Sequence, residues 1–143
     1  MGKIRNILKT KENSIFSVTP DTIVYHALET MFQKNVSALL VMENDTPVGI
    51  FTERDYARKI ALKGLSSRET RVDVVMTKNL ITVSPDYTIE NAMRLMTDKF
   101  IRHLPVLENN LLIGIVSIGD IVKYVIEEQK YIIGNLENYI TGT

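Results

Sequence analysis

The chain repeats itself. Shifting it by sixty-five positions lays residues 15–55 on residues 80–120 without a gap, and thirteen of the forty-one pairs are identical. They include Val18/Val83, Pro20/Pro85, Met31/Met96, Gly49/Gly114 and Asp55/Asp120. Many of the rest are similar, such as Ser17/Thr82, Val36/Ile101 and Thr52/Ser117. Chance would give about two or three identities, so the chain is a duplication, and the repeat constrains the fold before any single element does. A unit of about sixty residues is too small to bury a sheet alone. Two copies packed sheet against sheet through a pseudo-two-fold would solve that problem and leave a cleft on the axis.

Each copy reads as β-α-β-β-α. A short β-rich stretch runs into Thr19-Pro20-Asp21 or Ser84-Pro85-Asp86, where proline disfavours helix at the residue before it and polar neighbours can cap the next helix. A helical stripe comes next: Ile23, Ala27, Met31 in the first copy and Ile89, Met93, Met96, Phe100 in the second. The apolar runs 38–42 and 104–107 read as buried strands. Glu43-Asn44-Asp45-Thr46 and Glu108-Asn109-Asn110 read as turns, second strands come after them at 48–51 and 112–116, and closing helices start after Thr52 and Ser117. The first closing helix should end near Gly64. The fold class expected is therefore α+β (α/β), with repeat one and its N-terminal segment over residues 1–65, a polar linker at 66–70, repeat two over 71–126 and a long helical extension over 127–143. Ile132, Ile133, Leu136 and Ile140 give that extension an apolar stripe, read as either a lid on the module or a dimer contact.

Composition narrows the function. Seventeen Lys plus Arg balance seventeen Asp plus Glu, which argues against a phosphate-backbone binder. The absence of cysteine removes disulfides, thiolate metal sites and Cys nucleophiles. Two isolated histidines make no metal site, and His26 is expected to face solvent. No apolar run approaches the ~20 residues that span a bilayer, and the N-terminus lacks a signal-peptide stretch. No base is paired to a nucleophile, and no phosphate-loop or zinc-protease motif is present. The expectation is a cytoplasmic protein that is not an enzyme and binds neither nucleic acid nor membrane.

The chemistry-bearing motif stands at the end of each second strand. Gly49-Ile50-Phe51-Thr52-Glu53-Arg54-Asp55 and Gly114-Ile115-Val116-Ser117-Ile118-Gly119-Asp120 share a strand, a hydroxyl, two residues, an aspartate and then a helix. One reading is helix capping, with the hydroxyl at the N-cap and the acid three residues on. The other is a ligand site, in which helix N–H groups and the hydroxyl meet phosphate while the carboxylate holds a sugar diol. The two are compatible.

These segments, with Leu104-Pro105-Val106 after Ile101-Arg102-His103 and with Val74-Val75-Met76-Thr77 opening the second copy, resemble the signature of cystathionine-β-synthase-type (CBS) domains. The resemblance covers residues 1–126, and the chain is similar to stand-alone bacterial two-CBS proteins. It implies a Bateman module with up to two adenosine-ligand sites, in which aspartate holds ribose, Thr or Ser helps bind phosphate, and adenine lies against the other repeat. Carried over, one site would use Asp120, Ser117 and Ile115 with Phe16, Val36, Ser37 and Ala38, and Arg102 would reach phosphate. The other would use Asp55, Thr52 and Arg54 with Ile81, Ile101, Arg102 and His103. The stretch from Lys9 to Asn13 would border the Asp120 site or form a plain turn. The implied ligand is an adenine nucleotide, AMP first, with ADP, ATP or NAD(H) as alternatives. Arg54 beside Asp55 and Gly119 beside Asp120 suggest different ligand preferences. The function implied is an energy-sensing regulatory module, a homodimer that signals to an unidentified protein. The alternative is a structural dimerisation module with vestigial sites.

Overall fold

The computed structural model describes residues 2–11 and 15–141. Its elements run in the expected order: α1 (Ile4–Thr10), β1 (Ser17–Val18), α2 (Val24–Lys34), β2 (Ala38–Glu43), β3 (Thr46–Thr52), α3 (Glu53–Asp55), α4 (Val72–Val75), α5 (Ile89–Lys99), β4 (His103–Glu108), β5 (Leu111–Ser117) and α6 (Ile118–Thr141). The mixed α and β class is the one the sequence predicts, and the long C-terminal helix is present. One difference is local. The first closing helix is a single α-turn that continues as a π-helical stretch, Tyr56–Ala61, whereas its counterpart α6 is 24 residues of α-helix.

The chain divides into two compact units. One holds residues 14–82 and 110–112, and the other residues 1–13, 83–109 and 113–143. In the first unit, β1 pairs parallel with β2 at Ser17–Leu40 and Val18–Val41, and β2 pairs antiparallel with β3. In the second, the leading strand is reduced to one parallel bridge, Val83 to Val106. That bridge is Val18–Val41 moved by the repeat length, so the register survives where the strand does not. Both hairpins turn on two left-handed residues, Asn44-Asp45 and Asn109-Asn110, with φ between 51° and 65°. Positive φ at both turn positions matches the strand twist, and Asn and Asp tolerate it best after glycine.

The core of the first unit explains its spacing. Val24, Ala27 and Met31 on α2 pack with Leu39 and Val41 on β2, Phe51 on β3, Ile60, and Val72 and Val75 on α4. The second unit buries the matching Ile89, Ala92, Met96, Leu104, Val106 and Val116, together with Ile4, Ile7 and Ile121.

Each short leading helix packs with the other copy's strands. The backbone N–H groups of Ile4 and Arg5 donate to Tyr87 and Pro85, and the N–H of Ile89 donates to Gly2. In the other unit, Val72 and Asp73 donate to Thr22 and Pro20, and Val24 donates to Thr70. The N-terminal segment, which chain order groups with repeat one, thus lies in the unit of repeat two. The contact is close. A Cβ on Gly114 would stand 2.8 Å from Leu8 Cδ2, and one on Gly49 would stand 2.5 Å from Met76 Sδ and 3.1 Å from the Thr77 carbonyl.

Candidate functional site

The two motif aspartates are built alike. Thr52 is the N-cap of α3: its Oγ1 accepts from the N–H of Asp55 (3.1 Å), and its own N–H donates to Asp55 Oδ2 (3.0 Å). At the start of α6 the N–H of Asp120 donates to Ser117 Oγ (3.1 Å), and the Ser117 N–H donates to Asp120 Oδ2 (2.9 Å). Both are reciprocal capping boxes, so the capping reading of the motif holds in both copies.

The surroundings of the two carboxylates differ. Asp55 is 7% exposed. Its Oδ2 also receives the Thr52 hydroxyl (3.1 Å), and its Oδ1 receives the Thr77 hydroxyl (3.1 Å) and the Lys59 ammonium (3.0 Å). Lys59 lies one helical turn beyond Asp55 and also donates to the Val75 carbonyl. Both oxygens of Asp55 are therefore bonded from within its own unit, as a buried charge requires.

Asp120 is more open, its side chain 25% exposed. Its cation is Lys11, whose Nζ lies 2.7 Å from Oδ2 and 2.6 Å from the Ile115 carbonyl. Among the described residues no group bonds Oδ1. Burial pushes the Asp120 pKa up, but the bonds from Lys11 and Ser117 more than offset it and hold the carboxyl below its ordinary value. His103 shares this neighbourhood. Burial lowers its pKa first, then the charge of Lys11, with Asp120 opposing and Arg102 adding. Lys11 is thus bonded to this carboxylate, His103 lies within reach of its charge, and the charge of Arg102 acts on His103.

Lys11 reaches this place because α1 is three residues longer than α4. The backbone pairings match Ile4 to Val72 and Leu8 to Met76, so the extra turn of α1 carries Lys11 beyond the point where the chain leaves α4. Of the bordering stretch 9–13, Lys11 does touch Asp120; Glu12 and Asn13 lie outside the described residues.

The remaining candidate residues divide between the two units. Phe16, Val36, Ser37, Ala38, Thr52, Arg54, Asp55 and Ile81 belong to one, and Ile101, Arg102, His103, Ile115, Ser117 and Asp120 to the other. Ser37 and Ala38 stand beside the first motif, since the Ser37 carbonyl accepts from the N–H of Glu53 and Ala38 faces Thr52 across the sheet. Arg102 holds the same place beside the second motif, its carbonyl accepting from the N–H of Ile118. Phe16 lies under the Lys34 ammonium, 5.4 Å from the ring centre, and Arg54 is exposed. Sequence reasoning does not single out Lys59 or Thr77. Lys59 is legible as a cation at i+4 from Asp55, but the Thr77 contact depends on the exchanged helix.

Among the described residues no cluster of three or more His, Asp or Glu could hold a metal, and no helix is long and apolar enough to cross a membrane.

Comparison with known proteins agrees with this architecture. The CBS domain profile matches residues 4–62 and 71–127. The mitochondrial CBS domain-containing protein CBSX3 of Arabidopsis thaliana is 43% identical over 97% of this chain and 72% of its own length. The solved structure of a protein with CBS domains from Burkholderia ambifaria MC40-6 is 45% identical, covers 89% of this chain and 96% of its own, and superposes with a TM-score of 0.86. The CBS domain pair of protein MJ0100, solved with 5′-methylthioadenosine and S-adenosyl-L-methionine, is 21% identical, covers 90% and 98%, and shares the fold with a TM-score of 0.78. Duplicated motifs, repeated register and profile together make this chain a member of the CBS-domain family, carrying a pair of CBS domains.

Proposed function

We propose that the chain is a regulatory module that binds an adenosine-containing ligand, AMP before ADP, ATP or NAD(H), with Asp120 as the working carboxylate. The observation that carries the reading is Oδ1 of Asp120, which no group among the described residues bonds. The carboxylate is ionised, fixed on one oxygen by Ser117 and Lys11, and left with an acceptor for a ribose hydroxyl. The Ser117 hydroxyl and Lys11 add a donor and positive charge beside Asp120, which suits a phosphate, and Arg102, whose carbonyl caps the same helix start, is proposed to reach that phosphate. The adenosine ligands of the MJ0100 pair support the ligand class. Residues 16 and 36–38 are proposed to supply the adenine wall. Ligand binding would favour one arrangement of a CBS dimer and so signal to a partner.

A second reading applies to Asp55. Its oxygens are fully engaged by Thr52, Thr77 and Lys59, which favours a structural role and leaves Thr52, Arg54, Ile81, Ile101 and His103 as a weaker ligand site. Thermal unfolding with AMP, ADP, ATP, NAD(H) and S-adenosylmethionine tests both readings. A ligand at a hundredfold its Kd adds about 2.7 kcal/mol. AMP should stabilise the wild type and Asp55→Asn, and lose its effect on Asp120→Asn. No shift with any ligand would overturn the proposal.

A further inference from the structure

α6 offers its own chain one face and leaves another bare. Ile121 is buried, and Tyr124 packs at Gly2. Around the helix from these lie Val122, Ile126, Gln129, Ile133, Leu136 and Ile140, spaced 4-3-4-3-4. In the whole chain Ile126 is 48% exposed, Ile133 54%, Leu136 55% and Ile140 80%. This is a heptad seam, with isoleucine at every a position (126, 133, 140) and Val122, Gln129 and Leu136 at d. Bare apolar seams of this length are unusual on a monomer.

We propose that this seam pairs antiparallel with α6 of a second copy of the chain, about a two-fold axis at Tyr131. In that register Val122 meets Ile140 of the second copy, Ile126 meets Leu136, and Gln129 meets Ile133, each twice by symmetry. The flanking rows decide the direction. The g row is apolar (Val125, Ile132, Tyr139) and the e row is Lys123, Lys130 and Glu137. Antiparallel helices place g on g and e on e. Val125 then covers Tyr139, Ile132 covers Ile132, and Lys123 pairs with Glu137 at both ends, against one Lys130–Lys130 contact at the centre. A parallel pair would set Val125 and Ile132 against Lys130 and Glu137, with no ion pair at all. Because the chain-facing residues lie on the opposite side of the helix, pairing disturbs nothing already packed.

Sedimentation velocity of the full chain reads the assembly. The wild type should be a dimer and Leu136→Glu a monomer with unchanged helix content. Lys123→Glu should weaken the dimer several-fold, and Lys123→Glu with Glu137→Lys should restore it. Direction is read by oxidation, since the chain has no cysteine of its own. Gln129→Cys and Ile133→Cys chains should crosslink when mixed and not alone. A monomeric wild type, or a dimer that survives Leu136→Glu, overturns the proposal. Each cysteine chain crosslinking by itself overturns the antiparallel direction, and so does failure of the charge swap to rescue.

Discussion

If Asp55 is a staple and Asp120 a ligand carboxylate, removing each should cost the ligand-free protein different amounts. Asp55→Ala deletes half of a capping box, worth about 1 kcal/mol. It also strands the Thr77 hydroxyl and part of the Lys59 ammonium around a site 7% exposed. Bonds to a charged group are worth about 1.5–3 kcal/mol, and the lower end applies because Lys59 is 38% exposed and can turn to water. The sum is about 3 kcal/mol. Asp120→Ala loses the same box, but its partner Lys11 is solvent-accessible and keeps the Ile115 carbonyl. The sum there is about 1.5 kcal/mol. At about 3 °C per kcal/mol for a chain of this size, Asp55→Ala should melt roughly 5 °C below Asp120→Ala. Thermal unfolding without ligand, monitored by circular dichroism, measures the gap. Equal melting temperatures, or a greater loss for Asp120→Ala, would refute the division of roles.

Two single residues carry further outcomes. Phe100 closes α5 in the left-handed region with φ 55° and is 75% exposed, while the matching Asn35 closes α2 with φ 54°. Asn tolerates that conformation better than Phe, so Phe100→Asn should gain about 0.5–1 kcal/mol in a urea melt, and a loss would mean that the ring's contacts outweigh its backbone strain. The pKa of His103 lies below its ordinary 6.5 through burial first and the charge of Lys11 second. Above 6.5 both folded and unfolded chains are neutral at this residue; as pH falls through 6.5 the unfolded chain takes up the proton first and stability is lost. His103→Gln should flatten the fall between pH 7.5 and 5.5, and an unchanged slope would place its origin elsewhere.

Most of the fold was legible because duplication checks itself. A stripe such as Ile23, Ala27, Met31 is weak evidence alone, but a second helical stripe at the matching place, Ile89, Met93, Met96, with the same Asn-led turn after the next strand, leaves little choice of element. The ends of the stripes differ from that expectation: Ile23 is a cap and Phe100 is exposed. The capping box was legible for the same reason, as Thr52 to Asp55 and Ser117 to Asp120 are local pairs. The π-helical turn after Asp55 was not, since an apolar residue at Ile60 suits either helical period. The exchange of leading helices was hidden too. Nothing in α1 or α4 says which copy it will meet, and only the backbone bonds of Ile4 and Val72 and the closeness of Leu8 to Gly114 and of Met76 to Gly49 show it.

That exchange bears on function. Both motif aspartates need a cation, because a half-buried carboxylate without one is costly. In the first motif the cation is Lys59, on the same helix, and it travels with Asp55. At the second motif the matching position is Tyr124, and the charge comes instead from Lys11, about a hundred residues away in sequence and held only by one extra turn of α1. A local pair changes little when neighbouring segments move. A pair whose halves lie on separate elements is sensitive to anything that shifts one against the other, including a ligand that competes for Asp120 or for Lys11. The two boxes are thus alike in their caps and different in their cations, and if Asp120 is the ligand carboxylate proposed above, the longer α1 is the element through which a ligand would act on the N-terminal segment.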